Sequence, residues 1–168
     1  VLDDQTLLVC YSEHPGSSWS NRTSIPGNVN SFGSPVVVND KAVSTHNDAY
    51  ALIWQAGDTA GTVYWFFRRD QTSRWFRTST DRGATWSSVT SFAVNSTERP
   101  YMLVCPGTSS TRLDICITDG HPDQVTDNSI YHMYMTVTSG GTRSYFKTDG
   151  TLIGADAALP LAASLASR

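Results

Sequence analysis

The 168-residue sequence has no run of eighteen apolar residues, so no segment is long enough to cross a bilayer as a helix. It carries little charge of either sign. Twelve scattered Lys and Arg are outnumbered by fifteen Asp and Glu, which leaves no basic stripe able to neutralise several phosphates. Neither nucleic acid nor membrane is expected as a partner. Helical periodicity is also missing, because no stretch before the C-terminus places apolar residues at i, i+3, i+4 and i+7 without Gly, Pro or β-branched interruptions. Cysteine is scarce and odd in number. Cys10, Cys105 and Cys116 cannot all pair within one chain, so the options are one Cys105–Cys116 disulfide with a buried thiol at Cys10, or none; their spacing matches no C-x-x-C metal or redox motif. A signal peptide is not visible either: Val1 runs almost at once into the apolar Leu7–Tyr11 stretch, as a processed end, an expression boundary or a partial gene would.

What is present reads as β structure. An apolar content of 39% with net charge −3 is that of a folded globular chain and excludes a disordered one. Short apolar runs bounded by Gly, Pro, Asn, Asp and Ser predict strands at 7–12, 35–38, 50–55, 62–68, 73–79, 89–94, 101–105, 113–118, 130–137, 143–147 and 151–153. The run Thr62–Arg68 (TVYWFFR) is the strongest, and its alternating Tyr64-Trp65-Phe66-Phe67 is expected to be mostly core, with Trp54, Trp65 or Trp75 available to stack on a ligand ring. The Ala/Leu-rich tail from Ala155 to Ser167 is open between a helix with Pro160 in its first turn and a frayed end. Regularly spaced short strands define an all-β sandwich, barrel or propeller. Asn21-Arg22-Thr23 and Asn95-Ser96-Thr97 fit the glycosylation acceptor pattern.

One motif narrows the architecture. Ser79, Asp81, Gly83, Thr85 and Trp86 occupy the positions of S-x-D-x-G-x-T-W. This is a hairpin device: Asp81 accepts from backbone N–H groups of its own turn, Gly83 takes a backbone angle costly for other residues, and Trp86 packs inward. It resembles the Asp-box, or BNR repeat, of sialidase-like β-propellers, where it braces a turn away from the active site. Glu98-Arg99-Pro100-Tyr101, Thr118-Asp119-Gly120-His121-Pro122 and Asn128-Ser129-Ile130-Tyr131-His132-Met133-Tyr134 extend the likeness, as do Tyr11-Ser12-Glu13-His14 and Tyr64–Arg68 upstream. Together they resemble the BNR-repeat-containing family that includes ulvan lyases and related polysaccharide lyases, over roughly residues 5 to 155.

The resemblance implies part of a seven-bladed propeller built of radially arranged, antiparallel four-stranded sheets. At about 40–50 residues a blade, the chain supplies three to four blades, in residues 1–155, followed by a tail at 156–168. The uncovered blade faces call for the remaining blades of the propeller, or a second copy of the chain, as partner.

It also implies chemistry. Elimination from a uronate-containing polysaccharide requires a donor to neutralise the carboxylate, a base for the proton beside it and an acid for the leaving oxygen. Carried over by position, His14 ends the YSxH-like strand and Arg68 ends the FYR-like strand. Thr45–Leu52 resembles the family's T-Y-x-N-P-x-x-L stretch, which puts His46 where the tyrosine is expected, with Tyr50 four residues on. His14, His46 and Arg68 are therefore the catalytic candidates, and Tyr50 and Trp65 the substrate-binding ones. A further family histidine belongs to a segment upstream of His14 that this sequence does not contain. His121 and His132 read as structural. With Cys105 and Cys116 they are also the candidate zinc ligands, although no cofactor is required and only a structural zinc or calcium ion is allowed for.

The expected function is that of an extracellular or periplasmic carbohydrate-active propeller, a polysaccharide lyase acting on an acidic glycan. A non-catalytic glycan-binding or scaffold propeller is the alternative. A sialidase ranks third, because its family uses an arginine triad, a Tyr/Glu pair and several Asp-boxes.

Overall fold

The structure, a computed structural model, describes residues 1–13, 16–39, 49–70, 72–94, 99–121 and 123–167. Among them the chain forms thirteen strands in three sheets, taken up one after another along the sequence. Sheet 1 consists of β1 (Leu8–Ser12), β2 (Ser18–Arg22) and β3 (Val36–Asn39). Sheet 2 runs from β4 (Ala49–Gln55) through β5 (Val63–Arg68) and β6 (Ser73–Ser79) to β7 (Thr90–Val94). Sheet 3 is the meander of β8 (Met102–Pro106), β9 (Arg112–Thr118), β10 (Ile130–Val137), β11 (Arg143–Lys147) and β12 (Leu152–Ala155). The pairing within each meander is antiparallel.

The expectation of four-stranded sheets is corrected: the described sheets hold three, five and five strands. The extra strand of sheet 2 comes from the tail. β13 (Leu161–Ala162) pairs parallel to β7, and Ser167 makes a two-way backbone bridge to His132 on β10. The tail is thus neither a helix nor frayed. Two single 3₁₀ turns, Asp156–Ala158 and Ala163–Leu165, flank β13, and Leu161 and Ala166 are buried in the core. β2 was not anticipated because its inward positions are polar. Ser18 and Ser20 are buried where an apolar alternation would have announced a strand.

Sheet 2 is covered on both faces, which is why TVYWFFR reads as an unbroken apolar run. Tyr64 and Phe66 face sheet 3 and join Phe76, Phe92, Ile115, Met133 and Tyr145 in one core. Trp65 faces sheet 1, where it meets Trp86 edge to face. The first strands of the three sheets are neighbours, β1 beside β4 and β4 beside β8. The sheets therefore fan out from a common line of first strands.

The turn from Ser79 to Trp86 is built as its residues dictate. Asp81 Oδ1 accepts from Thr85 N–H at 2.8 Å and from the Ser79 hydroxyl at 2.7 Å, and Ser79 Oγ in turn accepts from Gly83 N–H at 2.7 Å. Gly83 has φ +88°, and a Cβ there would come within 2.6 Å of Leu8 on sheet 1. The Gly83 carbonyl accepts from Ser20 Oγ, which itself accepts from the Trp86 indole N–H at 3.0 Å. The turn thus clamps sheet 2 to sheet 1, and Trp86 is half-buried in that seam rather than fully enclosed.

Candidate functional site

One end of the array gathers the chemistry-bearing groups. β5 ends at Arg68, which pairs with Arg74 at the head of β6 and with Ala49 at the head of β4. The β5–β6 connection is closed by Asp70, whose carboxylate accepts from Thr72 N–H at 2.9 Å, Ser73 N–H at 2.6 Å and the Trp75 indole N–H at 3.0 Å. That closure fixes both strand ends. Arg68, half-exposed, and Arg74, buried with its Nη1 donating to the Ser73 carbonyl at 3.3 Å, line a cavity of about 140 Å³ with Leu52, Phe67, Tyr101 and Met102.

Tyr101 reaches this cavity from sheet 3. Its N–H donates to Thr118 Oγ1 at 2.8 Å, its carbonyl accepts from Thr118 N–H at 3.0 Å, and its ring lies 5.5 Å from that of His121. The loop carrying His121 is held by Asn128, which both donates to and accepts from the Gly120 backbone, and by Asp119, which accepts from Ser129 N–H. His121 Nδ1 accepts from Asp123 N–H at 3.2 Å, the tight-turn bond expected of a structural histidine. Arg74 and Tyr101 were not among the candidates, and His121 was read only as structural or as a zinc ligand. The sequence signals for two of them were present in RPY and DGHP, but nothing in the sequence brings Arg74 to Arg68 until strand register does.

The remaining candidates divide. His14 and His46 lie outside the described residues, and so does the side chain of Tyr50, whose backbone is in β4. Trp65 is corrected as a sugar platform. It is fully buried between Trp86 and Phe67, with no ring face open to a ligand.

No group of three or more His, Cys, Asp or Glu side chains suited to a metal ion occurs among the described residues. Cys10, Cys105 and Cys116 are free thiols, and burial pushes that of Cys10 up to about 12. Cys105, Cys116 and His132 share the outer face of sheet 3 with Asp114, but His132 is engaged there. Its Nε2 lies 3.1 Å from Asp114 Oδ1 and its Nδ1 lies 2.7 Å from Thr148 Oγ1. His121 lies on the loop after β9, with its ring against Tyr101. Burial raises the Asp114 carboxyl, but the Arg112 hydrogen bond and charge together with His132 hold it below its ordinary value.

The Arg68 end thus brings together two arginines, a side chain whose planar donor fork suits a carboxylate or sulfate, and a tyrosine, whose hydroxyl can donate or accept a proton. No family model matches the chain, and no curated protein matches it. Solved structures do. Two structures of a polysaccharide lyase described as PL25 ulvanlyase, one of them bound to -[GlcA(1-4)Rha3S]-, superpose with a TM-score of 0.69 at 16% sequence identity. Each likeness covers 99% of this chain and 42% of the other, so the chain spans less than half the length of the structures it resembles. At that identity the likeness establishes the shared all-β fold.

Proposed function

We propose that this chain is the Asp-box-bearing part of a BNR-type β-propeller polysaccharide lyase that cleaves an acidic, uronate-containing glycan by β-elimination outside the cytoplasm. The observation that carries this reading is the Arg68–Arg74 pair, held at one sheet end and opening with Tyr101 onto a common cavity. A fixed cationic pair suits a carboxylate whose negative charge must be neutralised before the neighbouring proton becomes acidic. The fold shared with the PL25 ulvanlyase structures, one holding a uronate-containing ligand, supports the same reaction class.

In this reading Arg68 and Arg74 hold the uronate carboxylate. His14 or His46 is the base that takes the proton beside the carboxylate. Tyr101 or the second of those histidines gives a proton to the departing glycosidic oxygen, leaving an unsaturated uronate at the new non-reducing end. The two electrons of the C–H bond become the ring double bond, and the C–O bond breaks with its pair on oxygen.

The fan of sheets about β1, β4 and β8 supports three adjacent blades of a propeller, with sheet 1 lacking a strand inside β1. The outer face of sheet 1 shows Val9, Tyr11 and Val37, and that of sheet 3 shows Leu103 and Ile130, all exposed. Further blades, or a second copy, cover them in this account. Incubation of the protein with a panel of acidic polysaccharides tests the reaction through the ultraviolet absorbance of the unsaturated uronate. Saturable binding without any rise in absorbance would instead favour the non-catalytic glycan-binding propeller.

A further inference from the structure

The opposite end of the array holds a second, larger cleft. It lies where the β4–β5 and β10–β11 hairpins meet the end of β6, and has a volume of about 440 Å³, within the range of small-molecule sites. The five residue steps of β5 place it roughly 16 Å from Arg68, too far for one sugar ring to occupy both.

Its lining is rich in hydroxyls and contains two fixed charged groups. Thr59, Thr62, Thr78, Thr80 and Ser139 supply hydroxyls. Asp58 is buried beneath them, with Oδ1 accepting from Thr62 N–H at 2.7 Å and Oδ2 from the Thr62 hydroxyl at 2.6 Å. Each carboxylate oxygen has the capacity to accept a further hydrogen bond. Arg143 lies across the core aromatics, its guanidinium carbon 4.8 Å from the Phe76 centroid and 5.8 Å from that of Tyr64, and its Nε donates to Asp156 at 2.7 Å. This stacking leaves the guanidinium no freedom to swing away. The Gly140-Gly141 turn, with Gly141 at φ +82°, brings bare backbone to the rim.

From this geometry we infer that the cleft is a second saccharide site, specific for a neutral pyranose unit rather than an acidic one. Asp156 cancels the Arg143 charge and Asp58 adds a negative one, so an anionic sugar is repelled where it would need a donor. A neutral sugar presents the hydroxyl donors that Asp58 accepts and the hydroxyl acceptors that Arg143, Thr and Ser satisfy. The two ends of the array are therefore complementary. The Arg68 end takes the acidic residue of a glycan, and the Asp58 end anchors a neutral residue without taking part in bond cleavage. The inference shares with the lyase reading only the class of ligand.

Amide NMR of the full chain tests it, with a neutral methyl pyranoside and sodium glucuronate as separate probes. The pyranoside is expected to shift the amides of Thr59, Thr62, Gly140 and Gly141 saturably, while glucuronate shifts those of Arg68 and Tyr101. Ser139→Trp, which fills the cleft from an exposed turn, and Asp58→Asn, which removes one charge and keeps an acceptor for Thr62, should each weaken pyranoside binding about tenfold or more. Neither should alter the glucuronate response. Because the spectrum itself reports folding, either variant can be read alone. Absence of saturable shifts at the cleft, equal binding of glucuronate there, or pyranoside binding unchanged in a folded variant would overturn the inference. Loss of the glucuronate response alone would count against the lyase reading and leave the cleft standing.

Discussion

Trp86 meets Trp65 edge to face on the side of sheet 2 that faces sheet 1, with ring centroids 5.3 Å apart and planes inclined at 74°. One ring belongs to the turn after β6 and the other to the middle of β5, so the contact packs the turn against its own sheet, while the Trp86 indole N–H donates across the seam to Ser20 Oγ of sheet 1.

Truncating that contact should be costly. Trp65→Ala removes a fully buried ring and should destabilise the protein by about 3–5 kcal/mol, read from the urea midpoint at constant slope. Trp65→Phe should cost much less, because the Trp65 indole N–H has no hydrogen-bond partner among the described residues and none is lost. Equal losses from both variants would show that the indole makes a specific contact.

Gly83→Ala should destabilise as well, by about 1–3 kcal/mol, since the new methyl meets Leu8 at 2.6 Å and the backbone stands at φ +88°. Pairing it with Leu8→Ala separates the two causes. The double variant should recover the steric part and retain the backbone part.

The turn also sets an acid limit. Burial raises the Asp81 carboxyl, but hydrogen bonds from the Thr85 hydroxyl and N–H and from the Ser79 hydroxyl hold it below its ordinary value. Asp3 is held at about 2 by its bonds from Arg82, which sits in the same turn, and from Gln55. A carboxyl lowered in the folded state contributes fully above its unfolded value of about 3.9, and that contribution is lost as pH falls through the folded value. Stability to urea should accordingly be flat in this respect from pH 7 to about 5 and fall between about 4 and 2. Asp81→Asn should start lower at neutral pH and fall less steeply. A variant curve parallel to the wild type would remove Asp81 as a cause.

The exposed faces of sheets 1 and 3 predict association. Val9, Tyr11 and Val37 on one and Leu103 and Ile130 on the other form apolar surface at the two ends of the array. Sedimentation of the 168-residue chain should show concentration-dependent self-association, and Leu103→Lys with Ile130→Lys should reduce it. A monodisperse monomer at all concentrations would show that these faces need no cover.

Much of this was legible in the sequence because strands obey a short-range code. The runs at 73–79, 130–137 and 143–147 appear at those limits, and the others shift by a residue or two. β2 escaped because its buried face is serine, and one of these, Ser20, bonds to Gly83 and Trp86, which are 63 and 66 residues away in the chain. β13 escaped because a two-residue parallel pairing carries no periodicity. The site was legible in part for the same reason. Arg68 is marked by its place at a strand end, whereas Arg74 and Tyr101 join it through register and sheet packing, which no local pattern encodes. Trp65 was misread as a ligand platform because alternation shows that a ring leaves the core face but not that a second sheet covers the other side.

The most direct measurement is the initial rate of unsaturated-uronate absorbance on an acidic polysaccharide for wild type, Arg68→Ala and Arg74→Ala, each with its melting temperature, using the protein at full natural length. The account predicts measurable elimination by the wild type and a loss of about a hundredfold or more in kcat/KM for Arg68→Ala at a nearly unchanged melting temperature. Buried Arg74 should lose both activity and stability. Wild-type activity retained in a folded Arg68→Ala variant would contradict the account and remove the arginine pair from the reaction.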